Sequence, residues 1–301
     1  FMPAGTAAGK DKGLFRRTVP NFDPQLCTGC MECAIVCPDA AIPNTVHEVH
    51  DLILTAIRES DATAGQKEAL RAQVYGIAER TREALRHREE KPFHQIVAEA
   101  AASAVTDEPM RHTVEKVVAK LAAYPVARTR PFFDSPEKES PGSGGLFAAT
   151  IDPWKCTGCL ECVEVCGPGA LTLQEQDAEV LETLQQRFAF MSANPNTPAR
   201  FIEGSDTPDG DIKRLMLDHA NFWATTGGHG GCRGCGEVTA IRLVMSTSHA
   251  LGERRRTAHV KDLTGLIDRL YAKASTVDSE ERRERINEAI TVLERRLYLQ
   301  E

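Results

Sequence analysis

The 301-residue sequence has no stretch of about 18 apolar residues free of charges, so it offers no candidate for a membrane-spanning helix. It also lacks an excess of basic residues, since 36 Lys and Arg stand against 43 Asp and Glu for a net charge of -7. That balance argues against non-specific nucleic-acid binding, which needs a basic surface. No Ser/His/Asp arrangement, P-loop or Rossmann fingerprint stands out. We therefore expect neither a membrane nor a nucleic acid as a partner.

A secretory signal is missing from the first residues as well. The chain starts with Phe1 and continues through a Gly/Ala-rich stretch with several basic residues but no apolar segment behind them. We expect a fragment of a longer chain, or a processed chain, located in the cytoplasm.

Cysteine, by contrast, is abundant. All ten cysteines fall into three tight groups, whereas a disulfide framework would spread them along the chain. Clustered Cys-x-x-Cys pairs without an export signal indicate metal ligation in a reducing compartment. The groups are Cys27, Cys30, Cys33 and Cys37; Cys156, Cys159, Cys162 and Cys166; and Cys232 and Cys235.

The first two groups belong to an internal repeat. Residues 19–42 align without gaps on residues 148–171, and 11 positions are identical, including an Asp-Pro pair and a Cys-Thr-Gly-Cys tetrapeptide. In each copy we expect a short extended segment, a loop with three cysteines, and a helical turn with the fourth.

The cysteine spacing in each copy is that of bacterial ferredoxins: two intervening residues, two again, then three. Three thiolates on one loop can each reach a different iron of a [4Fe–4S] cluster, and the fourth ligates the other cluster. We therefore predict crossed ligation, with three cysteines from one copy and the fourth from the other. Gly29 and Gly158 would let the backbone approach the clusters. The predicted ligand sets are Cys27, Cys30, Cys33 and Cys166, and Cys156, Cys159, Cys162 and Cys37.

Zinc knuckles are the alternative interpretation of these two groups. Zinc sites use four ligands in two Cys-x-x-Cys pairs, which gives no reason for the spacing seen here. The second copy departs from the ferredoxin pattern in having Gly167 before Pro168, where the first copy has Pro38 directly after its fourth cysteine. We expect a different turn there and the same ligation.

Helix-forming sequence separates the two copies. Apolar residues at helical spacing between residues 45 and 124 predict three or four amphipathic helices. Thr63 to Gln66 has the form of a capping box, which marks a helix start. The Pro/Ser/Gly-rich stretch 131–145 is predicted to be a linker.

These patterns predict an α+β protein in three parts. Residues 1–44 and 132–175 would form a discontinuous ferredoxin-like domain with two [4Fe–4S] clusters. Residues 45–131 would form the helical insertion and linker, and residues 176–301 an incomplete α/β region. Helices in that last region are expected near 177–190, 261–273 and 279–299.

The third cysteine group lies in a glycine-rich segment, and residues 231–237 read Gly-Cys-Arg-Gly-Cys-Gly-Glu. Alone, this is compatible with a redox pair, half a zinc site or half an iron–sulfur site. Two ferredoxin motifs followed by such a segment resemble the C-terminal part of pyruvate:ferredoxin oxidoreductase and related 2-oxoacid:acceptor oxidoreductases. The resemblance covers roughly residues 19–44 and 146–240. The insertion is longer than this family leads us to expect, and the family's Gly-Asp-Gly segment and two further cysteines are not present.

The resemblance implies a thiamine diphosphate domain that begins within residues 176–301. Cys232 and Cys235 would be two of the four ligands of a third, proximal [4Fe–4S] cluster, and Glu237 and His229 would lie near the thiamine diphosphate. Residues outside this chain would complete both sites, so we expect the chain to lack the full active site.

By the same resemblance, the whole enzyme decarboxylates a 2-oxoacid and passes single electrons through its clusters to ferredoxin or flavodoxin. The remainder of the oxidoreductase would then be a partner, and the full enzyme a homodimer. The alternative is a non-catalytic, polyferredoxin-like electron-transfer subunit in which Cys232 and Cys235 form a zinc or disulfide pair. A third interpretation is a redox sensor with labile clusters.

Overall fold

The computed structural model describes residues 13, 16–87, 91–105, 107–202, 213, 216–224, 235–277 and 279–298. Two compact units divide the chain, with the boundary between Val244 and Met245. The strands are β1 (Thr18–Phe22), β2 (Asn44–His47), β3 (Leu146–Ala149) and β4 (Leu171–Glu175). The helices of the first copy and the insertion are α1 (Glu32–Val36), α2 (Val49–Glu59), α3 (Ala64–Arg71), α4 (Val74–Arg86), α5 (Phe93–Ala102) and α6 (Glu108–Ala123). The later helices are α7 (Ser135–Glu139), α8 (Glu161–Glu164), α9 (Ala178–Ala193), α10 (Ala199–Ile202), α11 (His219–Ala224), α12 (Gly236–Ala274) and α13 (Glu280–Tyr298).

The four strands form two antiparallel pairs that exchange strands between the copies of the repeat. β1, which precedes the first cysteine loop, pairs with β4, which follows the second, and Thr18 lies opposite Glu175. β2, which follows the first loop, pairs with β3, which precedes the second, and Asn44 lies opposite Ala149. Each copy therefore supplies one strand to each sheet, and neither copy can form its sheet alone.

Backbone hydrogen bonds continue this exchange up to the cysteine loops. The amide of Asp23 donates to the carbonyl of Ala170, and that of Asp152 donates to the carbonyl of Ala41, both at 2.8 Å. These pairs are related by the same offset of 129 residues as the repeat. The side chains of both aspartates also accept a hydrogen bond from the amide two residues on, which gives the repeated Asp-Pro pair a turn-forming role.

Positive φ angles recur at equivalent positions of the two loops. Gly29 and Gly158 have φ of 73° and 68°, and Met31 and Leu160 have φ of 65° and 66°. Ala40 and Gly169 form a third such pair. The turn after the fourth cysteine therefore has a left-handed residue at the equivalent position and the same hydrogen bond, from the amide of that residue to the carbonyl of the fourth cysteine, in both copies. The different turn expected from Pro38 and Gly167 is not found.

The insertion forms five helices, α2 to α6, where the periodicity predicted three or four. The spacing of Leu70, Val74, Ile77 and Leu85 predicts one helix, but the structure divides these residues between two, because α3 ends at Arg71 and α4 begins at Val74. The capping box at Thr63 is confirmed, with Thr63 and Gln66 exchanging hydrogen bonds between side chain and backbone. The buried face of these helices forms a core of its own, to which α9 contributes Phe188, Phe190 and Met191.

His47 falls within the stretch 45–124 that was predicted to be helical, but the structure places it in a strand. It lies in β2 and is 2% exposed, with Nε2 at 2.7 Å from the hydroxyl of Thr45 and 3.0 Å from that of Tyr124. Burial lowers the pKa of His47 to about 3, so it stays neutral in the core.

The predicted linker 131–145 also differs, because its first half is helical. A π-helical turn spans Arg130–Asp134 and leads into α7. Phe132 and Phe133 are buried there, and Phe132 stacks on Phe147 of β3. Proline and serine suggested a loop, but the burial of two aromatic rings outweighs local preference since each removes a large apolar area from water.

Helices alone follow β4 in the part of the chain that the structure describes. α9 confirms the helix expected near 177–190, and Asp177 caps it by accepting a hydrogen bond from the amide of Val180. α12 is 39 residues long, much longer than expected, and α13 matches the expected helix near 279–299. The α+β class is confirmed. The α/β, thiamine-domain-like character of 176–301 stays a prediction, as do the three predicted domain boundaries.

None of the helices in the described ranges combines the length and apolar character needed to cross a bilayer.

Glycine substitutions can test the loop geometry. A Cβ at Gly158 would lie 2.4 Å from the backbone oxygen of Thr18, whereas one at Gly142, also at positive φ, would meet nothing within 4 Å. We expect Gly142→Ala to cost about 1 kcal/mol, from the left-handed backbone alone. Gly158→Ala should cost roughly 2–5 kcal/mol, because β1 must also shift.

Thermal unfolding of the two variants under anaerobic conditions measures the difference. Equal melting temperatures for the two variants would contradict the close approach of β1 to the second loop.

Candidate metal centre

Each cysteine loop is folded in the same way, which fixes where its thiols lie. A left-handed glycine follows the first cysteine by two residues, and a left-handed Met31 or Leu160 then starts a short helix. α1 contains Cys33 and α8 contains Cys162, and these two helices pack against each other. The fourth cysteine of each motif follows at the end of its helix, close to the other copy.

The structure brings Cys27, Cys30, Cys33 and Cys166 together around one cavity. The first three come from the first motif and the fourth from the second. Apolar side chains from three strands complete the wall: Phe22 of β1, Phe147 and Ala149 of β3, and Leu171 of β4. We call these four cysteines site I.

The other four motif cysteines are also near one another, and we call them site II. Cys156 and Cys162 of the second motif both interact electrostatically with Cys37 and Cys159. Cys37, Cys156 and Cys162 are buried, whereas Cys30 of site I is exposed. Both groupings match the predicted crossed sets, and ligation by these sets stays a prediction.

A [4Fe–4S] cluster places its four protein ligands differently from a single metal ion. In the described part of the chain, no three Cys, His, Asp or Glu side chains converge on a point as a single-ion site requires. The four thiolates of a [4Fe–4S] cluster need no such convergence, because each binds a different iron.

Five of the eight motif thiols have raised pKa values. Burial, with a smaller contribution from neighbouring thiols, raises the pKa of Cys27 to about 11 and that of Cys33 to about 12. Burial raises the pKa of Cys156 to about 12 and also raises the pKa values of Cys37 and Cys162. Without metal these thiols are neutral, and iron must displace their protons to bind.

Several donors surround the two sites. The amide of Ala41 donates to Sγ of Cys37 at 3.1 Å, and Nδ2 of Asn44 lies 3.9 Å from Sγ of Cys33. The hydroxyl of Thr157 donates to the buried carboxylate of Asp39 at 2.7 Å, which joins the two motifs beside site II. Such contacts orient ligands and adjust the properties of the metal group.

Two buried arginines also lie against site II, and the sequence analysis did not identify them. Arg16 donates from Nη1 to the carbonyls of Pro153 and Cys156, at 2.6 and 2.8 Å. Arg242 donates from Nη1 to the carbonyl of Cys37 at 3.2 Å. Neither belongs to a cysteine motif, and nothing in the local sequence distinguishes them from surface arginines.

The third cysteine segment is described only in part. Cys232 and His229 lie outside the described residues. Cys235 immediately precedes α12, and Glu237 is exposed in the first turn of that helix. The hydroxyl of Thr239 contacts the carbonyls of both Cys235 and Pro38. The start of α12 therefore packs on the end of the first cysteine motif, where Cys37 of site II lies.

Comparison with known families agrees with this geometry. Residues 19–42, with all four cysteines of the first motif, match the family described as a 4Fe-4S binding domain. The chain contains an iron–sulfur domain. A search of curated proteins found no match to the chain. The second motif of this iron–sulfur domain shares the backbone conformation of the matched one at the three pairs of left-handed residues given above.

A matched pair of substitutions can test the hydrogen bond that joins the two motifs, from Thr157 to Asp39. Thr157 is paired with buried Asp39, whereas its counterpart Thr28 is exposed. Thr157→Val should destabilise the protein by about 1–3 kcal/mol, because a buried carboxylate loses a donor. Thr28→Val should change stability by less than about 0.5 kcal/mol.

Chemical denaturation of both variants measures these changes. A Thr157→Val protein as stable as Thr28→Val would show that the bond to Asp39 does not join the motifs.

Proposed function

We propose that this chain holds two [4Fe–4S] clusters and transfers single electrons between them. Site I would bind one cluster and site II the other, so that each cluster is enclosed by both copies of the repeat. The grouping of Cys166 with the three cysteines of the first motif around one cavity is the observation that supports this most directly. When bound, such clusters supply reversible one-electron storage.

The protein contributes position and environment. Strand exchange keeps the two cysteine loops side by side, and the contact between α1 and α8 lies between the two sites. Exposed Cys30 places one edge of site I at the surface, where an external carrier could approach. Site II is more buried, and α12 covers the backbone of Cys37 and Pro38.

We further propose that the chain is the electron-transfer portion of a 2-oxoacid:ferredoxin oxidoreductase. The position of Cys235 supports this over an unattached carrier. Thr239, one turn into α12, contacts both Cys235 and Pro38, so a third cluster ligated by Cys235 would lie next to site II. Electrons would then pass from the third cysteine segment to site II and from there to site I, which is exposed. A thiamine diphosphate site near Glu237 and His229, completed outside this chain, would supply the electrons.

Iron and acid-labile sulfide analysis tests the two-cluster proposal. We expect about eight iron atoms and eight sulfides per chain from sites I and II after anaerobic reconstitution. A protein that binds only zinc, or no metal, would contradict it.

Paired cysteine substitutions then test crossed ligation. Cys37→Ala with Cys159→Ala should leave one complete cluster, because both residues belong to site II. Cys37→Ala with Cys30→Ala should leave none complete, because each site loses a ligand. Electron paramagnetic resonance of the reduced proteins counts the complete clusters, and uncrossed ligation predicts the reverse result.

The 2-oxoacid assignment requires the full-length protein. Adding pyruvate, thiamine diphosphate, Mg²⁺ and coenzyme A under anaerobic conditions should reduce the clusters and bleach their visible absorption. Cys235→Ala should retain the clusters of sites I and II but slow this reduction at least tenfold, since the relay loses its link to site II. Full bleaching by dithionite with no response to any 2-oxoacid would favour the non-catalytic subunit.

A further inference from the structure

Arg242 is a buried cation in the second turn of α12. The residue is 8% exposed, and its guanidinium faces site II. Nη1 donates to the carbonyl of Cys37 at 3.2 Å, and Nη2 contacts Sδ of Met216 at 2.9 Å. Both partners are uncharged, so they solvate the guanidinium without neutralising it.

A buried cation of this kind requires a nearby negative group. Burial lowers the pKa of Arg242, while the thiols of Cys37 and, to a smaller extent, Cys33 raise it. Isolated charges are costly in a protein interior, and they are found where an opposite charge compensates them. The cysteines of site II would provide that charge as thiolates around an anionic cluster.

Arg16 is a second buried arginine near site II, and it contacts the second copy of the repeat, whereas Arg242 contacts the first. It donates to the carbonyl of Cys156, just as Arg242 donates to that of Cys37. Two ligand residues of site II thus each have a buried arginine on their backbone. Asp39, buried and bound to Thr157, is a charge of opposite sign beside the same site.

At the positions of the repeat that correspond to Arg16 and Lys155, site I has no cation. The residue 129 positions after Arg16 is Gly145, and the buried Lys155 next to Cys156 corresponds to Leu26, which is 50% exposed. At site I, Lys213 pairs with Glu32 at 2.7 Å, and both side chains are more than a third exposed. Solvent and the ion pair with Glu32 weaken the electrostatic effect of Lys213 on site I. Arg242 lies in a low-dielectric interior, where its charge acts more strongly.

We propose that Arg242 sets the reduction potential of the cluster at site II. The inference depends on the proposed function, because it requires a cluster at that site. Adding an electron there adds negative charge to a buried anionic group, and the guanidinium stabilises the reduced form.

The test is a potentiometric titration of the reconstituted 301-residue chain, followed by electron paramagnetic resonance. Arg242→Gln should make reduction at site II about tenfold less favourable, a shift of ~59 mV to lower potential for one electron. Arg242→Lys keeps the charge and should recover most of the shift. Lys213→Gln is the matched control at site I, and it should leave site II unchanged.

Single-ligand variants assign each potential to its site. Cys30→Ala alters site I and leaves site II as the complete cluster, and Cys159→Ala, at the equivalent position, does the reverse. The shift caused by Arg242→Gln should therefore appear in the Cys30→Ala background and be much smaller in the Cys159→Ala background. Three results would overturn the proposal: equal shifts in both backgrounds, no shift in the Cys30→Ala background, or a reduction potential for Arg242→Lys as low as that for Arg242→Gln.

Asp39→Asn gives an independent measurement in case Arg242→Gln does not fold. It removes a negative charge from site II and should raise the same potential, and an unchanged or lowered potential would contradict the electrostatic argument. Iron content separates the two proposals. A wild-type chain with no clusters refutes the proposed function, whereas two clusters with potentials insensitive to Arg242 refute only this inference.

Discussion

The exchange of strands between the two copies of the repeat is the constraint on which the rest of the structure depends. β1 needs β4 and β2 needs β3, so each sheet forms only when residues from the two copies of the repeat, 99 to 157 positions apart, meet. The same pairing brings Cys166 to the first motif and Cys37 to the second. Metal bound at either site would hold both copies together, which would couple ligation to folding.

The two sites are alike in backbone and different in environment. Left-handed residues recur at the same positions of both loops, yet Cys30 is exposed whereas Cys37, Cys156 and Cys162 are buried. Burial alone would penalise an anionic group at site II, and the nearby guanidiniums offset that penalty. The two cysteine motifs therefore share a backbone conformation, whereas their surroundings differ in burial and in charge.

The helical insertion and α12 act on the cysteine region from outside the repeat. The insertion has its own core, and the π-helical turn after it places Phe132 against β3 and beside Gly29. α12 begins at the third cysteine segment and contacts Cys37 and Pro38 through Thr239 and Arg242. Elements outside the two ferredoxin-type motifs therefore contribute to the surroundings of both sites.

The sequence by itself determined the local features: the cysteine spacing, the repeat offset, the capping box at Thr63 and the helix near 177–190. The repeat offset follows from comparing the sequence with itself, and the other features depend on residues a few positions apart, so pattern and propensity suffice to predict them. Only the tertiary structure decided that His47 is buried in a strand, that residues 130–139 are helical, and that Arg16 and Arg242 face site II. Those outcomes arise from contacts between distant segments, where burial of aromatic rings and charges outweighs local preference.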